Sequence, residues 1–313
     1  MSDNNRLGVF KTYKLYVGGK FPRSESGRVY EVTTKTSAAG TAGKGQWLAN
    51  APQSSRKDAR DAVVAARKAF GGWSGATAYN RGQVLYRVAE MLEGRKEQFV
   101  REVAASEGLS KSKAAAAVDA AIDRWVWYAG WTDKIGQIAG GANPVAGPFF
   151  NLSTPEPTGV VAVLAPQKSS FLGLVSMIAP VIATGNTAVV IASADAPLPA
   201  LSLGEVLATS DVPGGVVNIL SGVTAEIAAP LAAHQDVNAI DLTGADAELA
   251  KELEIAAADN LKRVLRPQPV DTDGASDSED WLASPGTHRL TAFLETKTVW
   301  HPTGALGAAG SSY

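Results

Sequence analysis

The sequence predicts an α/β protein: a parallel sheet with helices on both faces. Three observations carry this. Short apolar, β-branched runs recur at residues 160–164, 188–191, 216–220 and 239–242. Each is followed by a stretch that reads as helix, at 171–183, 199–208, 226–233 and 245–257. The composition is that of a globular chain, with 45% hydrophobic residues. Strands alternating with helices of this size imply right-handed crossovers and strands buried on both sides.

The first 130 or so residues are mainly helical. Residues 11–21 alternate weakly around Gly18-Gly19 and predict a hairpin. Residues 33–50, rich in Thr, Ser, Ala and Gly, read as loop. A helix starts near Ser55, with Ala59, Ala62, Val63, Ala66 and Phe70 on one face, and Gly71-Gly72 is expected to end it. Further helices are expected over 81–92, 99–105 and 111–131.

Composition excludes several function classes. The chain has no cysteine, so it has no disulfide framework, zinc-thiolate site or thiol nucleophile. Its three histidines, His234, His288 and His301, are scattered, and no metal site is expected. A net charge of −2 argues against nucleic-acid binding. Residues 1–6 do not read as a secretory signal. The longest uncharged run, 169–194, is interrupted by Pro180, Gly185 and Asn186. It reads as helix, turn and strand, because a membrane span needs about 20 uninterrupted apolar residues. A cytoplasmic protein without membrane contact is expected.

The tail differs. Residues 266–287 hold Pro267, Pro269 and Pro285 with Asp271, Asp273, Asp277, Glu279 and Asp280, and they predict a flexible linker. Residues 289–300 regain β character, giving a strand with no local partner. Its backbone groups must pair elsewhere, and another chain is one candidate.

Common catalytic and phosphate-binding patterns are missing. No G-x-G-x-x-G follows a strand, and there is no Walker-type loop or G-x-S-x-G elbow. Gly40, Gly43 and Gly45 read as a surface turn. Tyr16 and Lys20 have Y-x-x-x-K spacing but flank a Gly-Gly turn instead of sharing a helix face.

A set of short motifs, in order, does resemble a family. These are Tyr16-Val17-Gly18-Gly19-Lys20, the Ala-rich helix into Trp73, Glu156-Pro157-Thr158-Gly159-Val160-Val161, Ala179-Pro180 and Gly185-Asn186-Thr187. Then come Val212-Pro213-Gly214-Gly215-Val216-Val217-Asn218, His234, Leu242-Thr243-Gly244-Ala245 and Asn260-Leu261-Lys262-Arg263-Val264. Over about residues 11–265 this resembles the NAD-binding domain of the aldehyde dehydrogenases.

The resemblance implies a Rossmann-like domain from residues 1–132 and 154–265, and an oligomerisation arm from 133–153 and 288–301. Phe293, Leu294, Thr296, Thr298, Val299 and Trp300 look like the family's C-terminal interface strand. Residues 266–287 then stand where the family places its catalytic domain. The family attacks its aldehyde with a cysteine thiolate, and serine or threonine would need an adjacent base instead. No catalytic residue is therefore assigned.

The family's Pro-Trp-Asn segment, whose asparagine donates to the oxyanion, reads Pro166-Gln167-Lys168. Its ribose-binding Lys-Pro-x-Glu reads Ile191-Ala192-Ser193-Ala194, its base-bearing Glu-Leu-Gly-Gly reads Pro267-Gln268-Pro269-Val270, and a family glycine falls at Leu249. Vestigial cofactor positions are Pro166, Lys168, Thr243, Gly244 and Ala245, the last three leading into a helix N-terminus.

The expected function is a non-catalytic subunit, a scaffold or regulator in a heteromer with a full-length aldehyde dehydrogenase and without a cofactor of its own. Two alternatives stay open. One is a sensor that retains NAD. The other is an enzyme with different chemistry at Lys168, including a contribution to NAD-dependent aldehyde oxidation by a complex.

Overall fold

The computed structural model describes residues 9–35, 45–266 and 279–304. It begins with a turn at Gly18 and Gly19, both at positive φ, closed by a Val17–Lys20 bridge. The expected hairpin is thus reduced to one bridge. Strands β1 (Val29–Thr33) and β2 (Trp47–Pro52) pair antiparallel. The second begins inside the stretch read as loop and runs two residues past it, and its alternating burial is the period-two signal that the small residues obscured.

Four amphipathic helices follow: α1 (Arg56–Ser74), α2 (Ala78–Glu93), α3 (Lys96–Glu107) and α4 (Lys111–Ala129). Ser55 and Asp58 form a capping box at the start of α1. Gly71 and Gly72 do not stop that helix. It runs to a cap at Gly75, because Trp73 is buried and its indole N–H donates to the Ile182 carbonyl at 2.9 Å.

The short α5 (Ile135–Ala139) leads into β3 (Gly141–Asn143) and β4 (Phe149–Pro157). The alternating block then runs β5 (Val160–Leu164), α6 (Leu172–Ala183), β6 (Thr187–Ile191), α7 (Leu198–Ala208), β7 (Val217–Leu220), α8 (Thr224–Ala233), β8 (Ala239–Asp241), α9 (Ala247–Ala258) and β9 (Arg263–Leu265). All its strand pairs are parallel, in the order β7-β6-β5-β8-β9. Every residue of β5 and β6 is buried. Val161 and Val163 of β5 face a core shared with α2, α4, α6 and α7, whereas Val160, Ala162 and Leu164 face one shared with α1, α8 and α9. Helices therefore cover both faces, as expected. Helix α6 is buried along its whole length, which accounts for its uncharged sequence. No helix among the described residues is long and apolar enough to cross a membrane.

The tail departs from expectation. Most of the 266–287 linker expectation lies outside the described residues. The described part is packed, not extended: Trp281 is buried, and Arg124 of α4 donates to the carbonyls of Trp281 and Ala283. Residues 288–291 form a helical turn, α10 (His288–Thr291), where β structure was expected. Strand β10 (Leu294–Pro302) then pairs antiparallel with β4 along its full length, in the order β10-β4-β3. The strand that the sequence left without a partner thus finds one within its own chain.

Candidate functional site

In an open parallel sheet, ligands lie beyond the carboxyl ends of the strands where the strand order reverses. Here the reversal falls between β5 and β8. The turn after β8 is pressed onto the turn after β5: the Gly244 N–H donates to the Leu164 carbonyl at 3.0 Å, and a side chain at Gly244 would overlap the Ala165 carbonyl oxygen. Only glycine fits there.

A cavity of about 530 Å³ opens beside this contact, lined in part by Gln167, Asp195, Gly222, Val223, Gly244 and Asp246. Gln167 ties its wall together. Its Nε2 donates to the Ala165 carbonyl at 3.1 Å, and its Oε1 accepts from the Ala194 N–H at 3.0 Å. The Ser193 hydroxyl donates to the Gln167 carbonyl at 3.0 Å.

The electrostatics of the cavity do not favour an anion. Asp246 is the N-cap of α9 and its carboxylate accepts from the Leu249 N–H at 2.8 Å, so the helix N-terminus already holds a negative charge. Asp195 also lines the cavity, its carboxylate 3.7 Å from Lys35 Nζ. Burial, and then the Asp195 carboxylate, push the Tyr30 phenol above its ordinary range.

Behind the same turn lies a buried ionic cluster. Arg289 donates to Asp241 Oδ2 at 2.8 Å, to Thr243 Oγ1 at 3.2 Å and to Glu279 Oε2 at 2.8 Å. The Thr243 hydroxyl in turn donates to Asp241 Oδ1 at 2.6 Å. Burial would lower the Arg289 pKa, but Asp241 and then Glu279 outweigh it and hold the guanidinium above its ordinary value. The Trp281 ring stands 5.3 Å from this guanidinium.

Of the expected cofactor positions, Gly244 lines the cavity and Thr243 lies in the ionic cluster. Pro166 is buried, and Lys168, next along the same loop, is exposed. Ala245 points into the core instead. The expected interface residues divide similarly. Phe293 is buried ahead of the strand, its carbonyl accepting from Thr158 N–H and from Asn186 Nδ2. Leu294 is buried, Thr296 and Thr298 are exposed, and Val299 is half-buried. Trp300 packs edge-on against Phe149 with ring centroids 5.8 Å apart.

Four residues that matter here carry no expectation from sequence: Gln167, Asp246, Trp281 and Arg289. Asp246, directly before an apolar-periodic segment, had a readable cap signal. Arg289 had none, because its partner Asp241 is 48 residues away. Among the described residues, no three acidic, histidine or cysteine side chains are grouped to hold a metal ion.

The helix N-terminus carries a carboxylate, the Thr243 hydroxyl is committed to Asp241 and Arg289, and Pro166 and Trp281 both flank Gly173 at the first turn of α6.

Comparison with known proteins fits this architecture. The family model described as the aldehyde dehydrogenase family matches residues 31–266. Retinal dehydrogenase 2 of Gallus gallus is 34% identical over 263 residues, covering 81% of this chain and 48% of that protein. Cytosolic aldehyde dehydrogenase 1 of Elephantulus edwardii is 30% identical, covering 80% and 49%. An NAD+ complex of aldehyde dehydrogenase from Bacillus cereus superposes with a TM-score of 0.74 at 25% identity, covering 81% of this chain and 50% of that one. The chain thus spans about half the length of these relatives. With its family model, its relatives and its sheet in agreement, this chain belongs to the aldehyde dehydrogenase family.

Proposed function

We propose that the chain is a non-catalytic aldehyde-dehydrogenase-like subunit, a scaffold or regulator that assembles with an active full-length aldehyde dehydrogenase. The observation that carries this reading is the absence of any cysteine, the residue on which the family's covalent chemistry rests. Two features support it. The chain passes from β9, ending at Leu265, to α10, starting at His288, with no room for a catalytic domain between them. Among the described residues β10 is terminal in the order β10-β4-β3, so its outer edge offers backbone groups for strand addition.

Co-expression with a full-length homologue tests the proposal. The expected results are a mixed complex by native mass measurement and no NAD- or NADP-dependent aldehyde oxidation by the chain alone. A stable oligomer of this chain by itself, or turnover lost in Lys168→Ala, overturns it.

A further inference from the structure

The crevice between β5 and β8 has two halves. The outer half is the cavity of about 530 Å³ lined by Gln167, Gly222, Gly244 and Asp246. The inner half, towards α6, is filled from within the chain. A side chain built at Gly173, on the first turn of α6, would meet Pro166 Cγ at 2.8 Å, Trp281 Cε2 at 3.1 Å and Ser169 Cβ at 3.2 Å. The indole and the turn that follows β5 therefore both flank Gly173. Arg289, ten residues after its other partner Glu279, grips the end of β8 through Asp241 and Thr243. Arg124 holds the same segment from α4 through the Ala283 carbonyl at 2.6 Å. Trp281 is 9% exposed and Arg289 5% exposed, so this is an interior contact.

We infer that residues 279–291 are the chain's own occupant of the inner crevice, and that Trp281 and Arg289 confine any ligand to the outer cavity, shutting out a dinucleotide laid across the switch point. A dinucleotide in such a sheet spans the place where the strand order reverses. Here one side of that place holds an indole and a buried guanidinium with three polar partners. This inference does not depend on the chain being non-catalytic, since it concerns access alone.

Two measurements on the full chain decide it. In calorimetric titration of the wild type, NAD is expected to bind no more than about threefold tighter than adenosine, or neither is expected to bind. NAD binding tighter than adenosine by about tenfold or more overturns the inference.

The second measurement uses the absence of native cysteine, which makes one introduced thiol the sole reporter. Ser169 flanks Gly173 as the indole does, its hydroxyl oxygen accepting from the Gly173 N–H at 3.0 Å. Maleimide is expected to label Ser169→Cys about tenfold more slowly than Ser169→Cys/Trp281→Ala, because the indole blocks the approach. Trp281→Phe in place of Trp281→Ala is expected to keep labelling slow. Should Trp281→Ala fail to fold, Trp281→Leu is read instead, with labelling about threefold faster than with the native indole. Equal labelling rates with and without the indole overturn the inference.

Discussion

The two larger sheets among the described residues are held together in opposite ways. In the parallel sheet every residue of β5 and β6 is buried, and both faces are covered by helices from the same chain. In the sheet β10-β4-β3, most of β10 is exposed and all three residues of β3 are exposed. Distributed apolar burial supports the first, whereas a few polar anchors at its root support the second. Asn186 is one such anchor. Its Oδ1 accepts from the Gly159 N–H at 2.8 Å and its Nδ2 donates to the Phe293 carbonyl at 2.9 Å. Damage to the parallel sheet should therefore scale with lost volume, and damage to the tail with lost partners.

The largest expected effects test that contrast directly. Phe171 stacks on Phe99 with ring centroids 4.8 Å apart, so Phe171→Ala should cost about 3–5 kcal/mol in a denaturant titration. Arg289→Met should cost about 3–5 kcal/mol by leaving the buried Asp241 carboxylate without its partner. Adding Asp241→Asn should recover part of that loss, which no core truncation does. If the double variant is as unstable as the single one, the tail is held by packing and the contrast fails.

Smaller effects sharpen it. Asn186→Ala leaves the buried Gly159 N–H without a partner and the Phe293 carbonyl with Thr158 N–H as its remaining donor, so it should cost about 1–3 kcal/mol and speed hydrogen exchange in β10 more than in β6. Glu107 gives a pH signature. Burial raises its pKa against the hydrogen bonds from Ser170 and Phe171. A carboxyl group with a raised folded pKa binds more protons folded than unfolded, so its contribution falls as pH climbs from the ordinary glutamate value through the raised one. Glu107→Gln should abolish that decline in denaturant midpoint, and an unchanged pH slope would refute the assignment. Smallest of all, the exposed clamp from Arg263 to Glu295, at 2.7 and 2.9 Å, should contribute less than about 1 kcal/mol and vanish at high salt.

The same contrast explains what could be read without coordinates. The parallel block was legible because burial on both faces writes itself as unbroken apolar runs: residues 160–164 are the strand as observed, and 171–183 overruns α6 by one residue. The tail was illegible because its structure rests on pairs distant in sequence. Arg289 reads as a surface charge within a strand until Asp241 and Glu279 are seen around it. Trp281, among acids and prolines, reads as linker until Pro166 and α6 are placed beside it. At the candidate site Thr243 and Gly244 were found because a strand-to-helix turn has a local signature. Lys168 stands out in the sequence by its charge yet lies exposed, whereas Gln167 and Asp246 line the cavity.

The Asn186 amide also sets a load path through the molecule. It grips the backbone at the foot of β5 and, through Phe293, at the foot of β10. Tension applied to β10 would enter the central strand at its amino end. The crevice lies at the other end of that strand, about 17 Å away for five residues of extended chain. The root of β10 and the crevice are thus two ends of a single stiff rod.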